Sequence, residues 1–349
     1  MKILVISDSF KGSLSSKEIG NIIKSELKEH EVDIISLSDG GEGFIDAVKS
    51  FIDLKMISVN TYDAILREIY VEYGLYGTKA FIELAKVCGL NMLEEERRNP
   101  LYTSTYGLGL VIKDAIDRGY KNIYLGIGGS STNDLGIGLL TALGLYTNNK
   151  ALNNNDLKDI ININTVKITK LIKDVNINVL RDVDNKLLGK FGATYTFGLQ
   201  KGAKDLEELE NNIKSFINFN HDNYYIDRIG SGASGGVSYG LMKFANAKMI
   251  KGSDFILENI NYKEIQDNYD LIITGEGKID EQTLYGKAIK SVIDQTRNKD
   301  KLIVICGANE LKDKLGVKTY AIVPEICTLE ESIKEPEKYL TMLIKTINL

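Results

Sequence analysis

One stretch of the sequence constrains the fold of this chain most. It is a short apolar strand that runs directly into a glycine-rich turn, which an apolar helix follows. The strand covers residues 123–127, and Gly126, Gly128 and Gly129 allow the backbone to turn sharply and approach a ligand. The hydroxyl and amide residues at 130–133 are good N-cap residues for the helix that follows. A helix N-terminus carries unpaired N–H groups and partial positive charge, so this turn predicts a phosphate site. The alternative interpretation is a tight structural turn.

Alternation of strands and helices recurs in the N-terminal and C-terminal thirds of the chain. Apolar strands at 2–7 and 32–37 are each followed by a polar loop and a helix with one apolar face. Buried strands are also predicted at 269–274, 302–306 and 319–323. This pattern is typical of an α/β protein whose parallel sheet is covered by helices.

The middle of the chain is more mixed. Residues 58–84 alternate apolar and polar side chains around Gly74 and Gly77, which predicts hairpin strands. We therefore expect a two-domain α/β fold, a Rossmann-like parallel-sheet domain from both chain ends with a second mixed α/β domain inserted. The predicted domains are residues 1–57 plus 255–349 and residues 58–254, with boundaries placed to within about 20 residues.

Composition excludes several classes of function. The formal net charge is −5, so no basic excess points to nucleic acid. The three cysteines form no Cys-x-x-Cys pair, and only two histidines occur, which disfavours a disulfide framework or a histidine-rich metal site. No signal-peptide pattern or membrane-length apolar run is found. We expect a cytoplasmic protein, monomeric or homodimeric, without nucleic-acid or membrane partners.

Acidic residues and lysines cluster in loops that mostly follow predicted strands. The clusters are Asp8 with Lys11, Asp39 with Glu42, Asp182 with Asp184, and Glu276 with Lys278 and Asp280. Carboxylates without histidine suit Mg²⁺, and glycine loops with lysine suit phosphate, the two requirements of phosphoryl transfer. Any one of these acids alone would be read as a helix cap or turn residue, and a lone lysine as a solvated side chain. Neither a P-loop nor the protein-kinase signature set is present.

Seven motifs in one order, spanning nearly the whole chain, carry a family resemblance. They are Asp8-Ser-Phe-Lys-Gly-Ser-Leu-Ser15, Asp39-Gly-Gly-Glu-Gly43, Arg98-Asn-Pro-Leu, Gly126-Ile-Gly-Gly-Ser-Ser-Thr-Asn-Asp134, Gln200-Lys-Gly-Ala203, Gly232-Ala-Ser-Gly-Gly236 and Ile273-Thr-Gly-Glu-Gly-Lys-Ile-Asp280. With these motifs the chain resembles the bacterial type I glycerate kinases. The resemblance implies ATP- and Mg²⁺-dependent phosphorylation of D-glycerate, with 2-phosphoglycerate favoured over 3-phosphoglycerate.

The chain departs from the family pattern at four positions. Arg181 stands where the family has cysteine, Leu135 where it has glycine, and Lys186 and Leu199 where it has proline. Arg181 adds a charge beside an acidic motif, and Leu135 restricts the backbone. Either change is expected to affect nucleotide or substrate preference.

Roles follow for the motif residues as hypotheses. The nucleotide-binding residues are Gly128, Gly129, Ser130, Ser131, Thr132, Asn133 and Asp134. The substrate-binding residues are Asp8, Ser9, Lys11, Asp39 and Glu42, with Lys11 as partner of the glycerate carboxylate or the transferred phosphoryl group. The catalytic residues are Asp280, Asp182, Lys11 and Lys201, and the metal ligands are Asp182, Glu276 and Asp39.

Three other interpretations remain open. The first is a kinase of another small hydroxy acid or polyol. The second is a dinucleotide-dependent oxidoreductase, disfavoured because no Gly-x-Gly-x-x-Gly turn follows the first strand. The third is a non-catalytic metabolite-binding protein on the same fold.

Overall fold

The computed structural model describes residues 1–181, 183–284 and 288–347. Its strands are β1 (Lys2–Ser7), β2 (Glu31–Ser36), β3 (Lys55–Tyr62), β4 (Glu68–Tyr76), β5 (Lys79–Glu83), β6 (Asn122–Gly126), β7 (Tyr146–Thr147), β8 (Ile163–Asn164), β9 (Asn176–Arg181), β10 (Lys248–Lys251), β11 (Leu271–Ile279), β12 (Leu302–Asn309) and β13 (Lys318–Val323). Its α-helices are α1 (Ser16–Glu26), α2 (Phe44–Lys49), α3 (Ala85–Cys88), α4 (Tyr106–Asp117), α5 (Ile137–Ala142), α6 (Val166–Leu171), α7 (Ala193–Phe197), α8 (Leu206–Asn220), α9 (Ala233–Ala245), α10 (Gly252–Asn259), α11 (Tyr262–Ile265), α12 (Glu281–Leu284), α13 (Ala288–Gln295), α14 (Leu329–Lys334) and α15 (Pro336–Thr346).

One compact unit, called here the terminal unit, comprises Met1–Asp39, Asp46–Asp53 and Lys251–Leu349. Its described residues form a parallel sheet of five strands in the order β13-β12-β11-β1-β2. Helices α1 and α15 contact each other and cover apolar residues of the sheet. All five strands run the same way, so their carboxyl ends meet at one edge, where ligands bind in sheets of this kind.

The other compact unit, called here the inserted unit, comprises Gly40–Ile45 and Leu54–Ile250. Its described residues include a mixed sheet of six strands in the order β10-β9-β6-β5-β4-β3. Strands β3, β4 and β5 pair antiparallel, and β5, β6 and β9 pair parallel. Helices α4, α5 and α9 bury their apolar faces in one core with this sheet.

The predicted fold class is confirmed, since a parallel sheet built from both chain ends accompanies a mixed α/β sheet from the middle. The predicted hairpin is also confirmed, because β4 and β5 pair antiparallel with Tyr76 opposite Lys79. The domain boundaries at 57/58 and 254/255 stay a prediction. Within the described part of the chain, no helix has both the length and the apolar character needed to cross a membrane.

The helix predicted to start at 130–133 begins later. Helix α5 starts at Ile137, and its N-cap is Gly136 with a left-handed φ of 70°. Leu135 is left-handed as well, with φ 59°, a conformation that is costly for a side chain branched beyond Cβ. The N-cap assignment of residues 130–133 is therefore wrong, because those residues form a buried loop before the helix.

Candidate functional site

A cavity of about 360 Å³ lies in the terminal unit at the carboxyl ends of its strands. Its polar lining comes mainly from the loop after β1, the residue before the inserted segment and the end of β11, and includes Asp8, Ser9, Lys11, Asp39, Glu276 and Lys278. The structure thus brings together the predicted substrate residues Asp8, Ser9, Lys11 and Asp39 with the predicted metal ligand Glu276. Parallel strand order explains this, since loops distant in sequence end at one sheet edge.

The electrostatics of the cavity centre on Asp8. Burial raises the pKa of the Asp8 carboxyl to about 8, and the nearby negative charges of Asp39 and, less strongly, Glu276 add to the increase. The Lys11 ammonium and the Ser9 backbone N–H, which donates to Asp8 Oδ1 at 2.7 Å, oppose it. Three carboxylates therefore crowd one small space, an arrangement that favours a bound cation or a proton.

Lys11 and Asp39 form an ion pair across this cavity. Lys11 Nζ lies 2.9 Å from Asp39 Oδ2, with the lysine side chain exposed and the aspartate largely buried. The pair fixes the Lys11 head group at the polar wall of the cavity, although Lys11 and Asp39 are 28 residues apart in sequence.

Glu276 connects the cavity to Asp280. Thr283 Oγ1 donates to Glu276 Oε1 at 2.5 Å, and Thr283 N donates to Asp280 Oδ1 at 3.3 Å. Asp280 N in turn donates to Thr283 Oγ1 at 3.1 Å. These hydrogen bonds hold Asp280 just before α12, and Thr283 bridges it to Glu276. Asp280 does not line the cavity itself.

The glycine loop of residues 127–136 belongs to the inserted unit and is held by a buried lysine. Lys201 Nζ donates to Ser130 Oγ at 2.8 Å and to the Thr132 carbonyl oxygen at 2.6 Å. Ser131 Oγ donates to the Cys88 carbonyl, and Ser131 O accepts from Thr103 Oγ1, both at 2.9 Å. The hydroxyls of Ser130 and Ser131 thus hold the shape of the loop from within, whereas Gly129 is exposed.

Asp134 is the anchor of this loop. The side chain is fully buried, and Oδ2 accepts from Thr105 N at 3.0 Å and Thr105 Oγ1 at 2.7 Å. Oδ1 accepts from Gly136 N at 3.0 Å. Burial raises the pKa of Asp134, and these hydrogen bonds counteract the increase. The carboxylate ties the loop to the first turns of α4 and α5.

Two polar atoms of the same loop lack a hydrogen-bond partner within the described residues. They are Thr132 Oγ1 and Asn133 Oδ1, both buried. Asn133 Nδ2 donates to Thr194 Oγ1 of α7 at 3.1 Å. Buried polar atoms are usually satisfied, so the loop retains hydrogen-bonding capacity that the chain itself does not use.

Sequence reasoning missed Glu83 at the end of β5. This buried carboxylate accepts from Gly43 N at 2.9 Å and Ile45 N at 3.0 Å, which caps the start of α2. Glu42, whose role in substrate binding stays a prediction, accepts from Asn91 Nδ2 at 2.9 Å in the inserted unit. The sequence pattern that could have identified Glu83 is an acidic residue at the end of a buried strand. The same pattern marks Asp8 and Glu276.

The remaining predicted residues are distributed as follows. Asp182 lies outside the described residues. Its neighbour Arg181 donates through Nη1 to Val183 O at 3.0 Å and pairs with Asp184. Lys186 pairs with Asp227 at 3.0 Å, and Leu199 is exposed.

In the part of the chain that is described, no group of three or more histidine, cysteine or acidic side chains is arranged to hold a metal ion. Mg²⁺ typically uses one or two protein carboxylates and completes its shell with water and substrate phosphates. The acids of the terminal-unit cavity fit this donor set in type and charge.

Comparison with known proteins identifies the class. The family model described as "Glycerate kinase family" matches residues 3–348. A glycerate kinase from Halalkalibacterium halodurans is 33% identical over 99% of this chain and 97% of its own length. A glycerate 2-kinase from Escherichia coli is 32% identical over 96% of this chain and 93% of its own length. A crystal structure of a provisionally assigned glycerate kinase 2 from Salmonella typhimurium LT2 aligns with a TM-score of 0.80 at 32% identity, covering 99% of this chain and 96% of the other.

The chain is therefore an enzyme of the phosphotransferase class that uses an alcohol group as acceptor. Within that class it belongs to the glycerate kinase family.

Proposed function

We propose that this protein transfers the γ-phosphoryl group of ATP to the 2-hydroxyl of D-glycerate, with Mg²⁺ as cofactor, giving 2-phosphoglycerate. The observation that carries the proposal is the terminal-unit cavity, in which Asp8, Lys11, Asp39 and Glu276 meet. A small hydroxy acid needs a cation for its carboxylate and acceptors for its hydroxyl, and both are present at this wall. The family assignment supplies the reaction class.

In this proposal Lys11 binds the glycerate carboxylate, and Asp39 holds the lysine head group in place through the 2.9 Å ion pair. Ser9 and Asp8 face the hydroxyl groups. Asp280 and Asp182 remain the proposed acceptors of the hydroxyl proton, with Asp280 positioned through Thr283. Asp8 is a further candidate, because burial and neighbouring acids raise its pKa to about 8, making it more basic than a solvated carboxylate.

The loop at residues 128–134 is the proposed site of the nucleotide phosphates. The exposed backbone of Gly129 is the proposed contacting part, and Lys201 adds a buried positive charge that also fixes Ser130 and Thr132. Thr132 Oγ1 is a supporting observation, because this hydroxyl has no partner in the described residues and can donate to a phosphate oxygen. Asp134 acts here as the anchor of the loop.

Mg²⁺, when bound, would neutralise phosphate charge, and Glu276, Asp39 and Asp182 are the residues proposed to hold it. The chain's own residues then have three tasks, namely binding the acceptor carboxylate, holding the hydroxyl and taking up its proton. The protein is proposed to act in the cytoplasm, where ATP is supplied, with glycerate and ATP as its small-molecule partners. A monomer or homodimer is still the expected assembly.

A ³¹P NMR assay with ATP, Mg²⁺ and D-glycerate tests this function directly. Proton coupling of the new phosphate ester is expected to give a doublet, because the 2-position carries one hydrogen. A triplet would assign the 3-position instead. Intact ATP and no ester, with the protein folded, would refute the glycerate kinase proposal and favour another acceptor or a binding protein.

A lysine substitution tests the acceptor site. Lys11→Ala is expected to reduce kcat/KM for glycerate by about a hundred-fold, since it removes a charge-assisted contact to the carboxylate. Lys113→Ala is the matched control, because Lys113 is also an exposed, ion-paired lysine but does not line the cavity. Equal kinetics of Lys11→Ala and the control would remove Lys11 from the acceptor site.

A further inference from the structure

The terminal-unit cavity has a second wall of opposite chemistry. Besides the charged groups, the lining includes the apolar residues Phe10, Ile322, Leu329, Ile333 and Pro336, with Ser332 among the last three. Ile322 is the penultimate residue of β13, and the other C-terminal members come from α14 and the first residue of α15. One cavity is therefore lined both by charged side chains and by a group of apolar side chains from the C-terminal elements.

Helix α14 supplies two of the apolar lining residues, Leu329 and Ile333. Thr328 caps this helix, with Thr328 Oγ1 accepting from Glu331 N at 3.3 Å and Glu331 Oε2 accepting from Thr328 N at 2.9 Å. Leu329 and Ile333 are four residues apart, so they lie on the same helix face. They are 57% and 59% exposed, so the described residues leave more than half of each one uncovered.

Cavity size also exceeds what the proposed acceptor needs. At about 360 Å³ the cavity falls within the range of roughly 300–1,000 Å³ that accommodates drug-sized ligands. A three-carbon acid bound at Lys11 would leave the side chains of α14 in contact with water. The occupant that satisfies both walls carries a hydroxy-acid head and an apolar tail.

We propose that this cavity also accepts 2,3-dihydroxy acids that carry an alkyl chain on the carbon farthest from the carboxylate, and that the enzyme phosphorylates them. The inference rests on the proposed function, since it places the acceptor's carboxylate at Lys11 and extends the alkyl chain along Leu329 and Ile333. These two residues then determine acceptor specificity, because they contact only the part of the substrate that glycerate lacks.

The reaction is the same transfer as with glycerate. The acceptor hydroxyl oxygen forms a bond to the γ-phosphorus of a nucleoside triphosphate, and the bond from that phosphorus to the bridging oxygen breaks. The nucleoside diphosphate leaves with the electron pair, and the hydroxyl proton passes to a carboxylate of the protein. No other co-reactant is required.

The test compares D-glycerate with 2,3-dihydroxyhexanoate of matching configuration, in the presence of ATP and Mg²⁺. Initial rates are measured for the wild type, for Ile333→Asn and for Leu329→Asn. The wild type is expected to phosphorylate both acceptors. Each variant is expected to lose at least about ten-fold in kcat/KM for the dihydroxyhexanoate, the effect of a few lost apolar contacts, and to stay within about two-fold for glycerate.

Ile161→Asn is the matched control, since Ile161 is another exposed isoleucine that does not line the cavity, and it should alter neither rate. Phosphorylation of glycerate without any turnover of the dihydroxyhexanoate would overturn the inference and leave the proposed function standing. An increased KM for ATP in Ile333→Asn, with unchanged acceptor selectivity, would also overturn it by assigning the apolar wall to the nucleotide base. Failure of wild-type glycerate phosphorylation would refute the proposed function and this inference together.

Discussion

Replacing Asp134 by asparagine separates a structural role of this acid from a ligand-binding one. The carboxylate is fully buried and accepts hydrogen bonds from Thr105 N, Thr105 Oγ1 and Gly136 N. An asparagine presents one oxygen and one NH₂ group in the same space. The NH₂ group is best tolerated at the Oδ1 position, where it faces the single N–H of Gly136.

The expected loss of stability follows from these contacts. A buried donor left without an acceptor costs about 1–3 kcal/mol, and each remaining bond weakens by about 1 kcal/mol when the acceptor loses its charge. Relief from burying a charge offsets part of this loss. We therefore expect Asp134→Asn to lower the free energy of unfolding by about 3 kcal/mol.

Urea unfolding followed by circular dichroism measures this change, read from the midpoint at constant slope. Asp227→Asn is the matched control, since Asp227 is exposed and its 3.0 Å pair with Lys186 is a surface contact worth about 1 kcal/mol or less. Nucleotide affinity, measured where the Asp134 variant is fully folded, should be unchanged. A loss below about 1 kcal/mol, or a ten-fold weaker nucleotide affinity, would refute the anchoring role.

Two further predictions concern the inserted unit. Burial alone would raise the pKa of Asp222, but hydrogen bonds, first among them that from Lys243 at 2.7 Å, bring the pKa below its ordinary value. The ionised Asp222 carboxylate therefore stabilises the fold above a pH of about 4, and this stabilisation is lost as the pH falls. Asp222→Asn should thus lower the free energy of unfolding by about 3 kcal/mol at pH 7 and by less at pH 3, and a pH-independent difference in urea unfolding would contradict this. Gly107→Ala places Cβ 1.8 Å from the Tyr62 carbonyl oxygen, so thermal unfolding should show a larger loss of stability than Gly119→Ala, whose Cβ meets open space but whose φ is +91°. Equal losses in the two alanine variants would contradict the steric explanation.

The α/β class was predictable because it depends on local periodicity. Continuous apolar runs occupy residues 3–6 of β1, 271–273 of β11 and 302–306 of β12, as expected of parallel strands covered on both faces. The start of α5 was not predictable in the same way. Its true N-cap depends on a left-handed Leu135 and on the hydrogen bonds that the Asp134 carboxylate accepts from Thr105, 29 residues earlier in the chain. Neither feature is a local preference.

The polar half of the candidate site was predictable for a related reason. Acids that follow parallel strands must meet at one sheet edge, so Asp8 and Glu276 could be paired from sequence despite their separation along the chain. The apolar half was not predictable. Leu329 and Ile333 look like an ordinary amphipathic helix face, and only the three-dimensional arrangement shows that this face lines a cavity.

Buried acids in this protein fall into two kinds, and the difference bears on function. Asp134 and Asp222 are surrounded by hydrogen-bond donors, so each stabilises the fold around it. Asp8 instead lies close to Asp39 and Glu276, and its pKa rises to about 8 because burial and like charge both disfavour its ionised form. Such crowding of like charge opposes folding, so fold stability alone does not explain why three carboxylates line this cavity. A cation or a substrate hydroxyl that relieves this repulsion would bind more tightly for the same reason. Among the clusters of acids in the described residues, the terminal-unit cavity is therefore the place where we expect the chemistry of this enzyme.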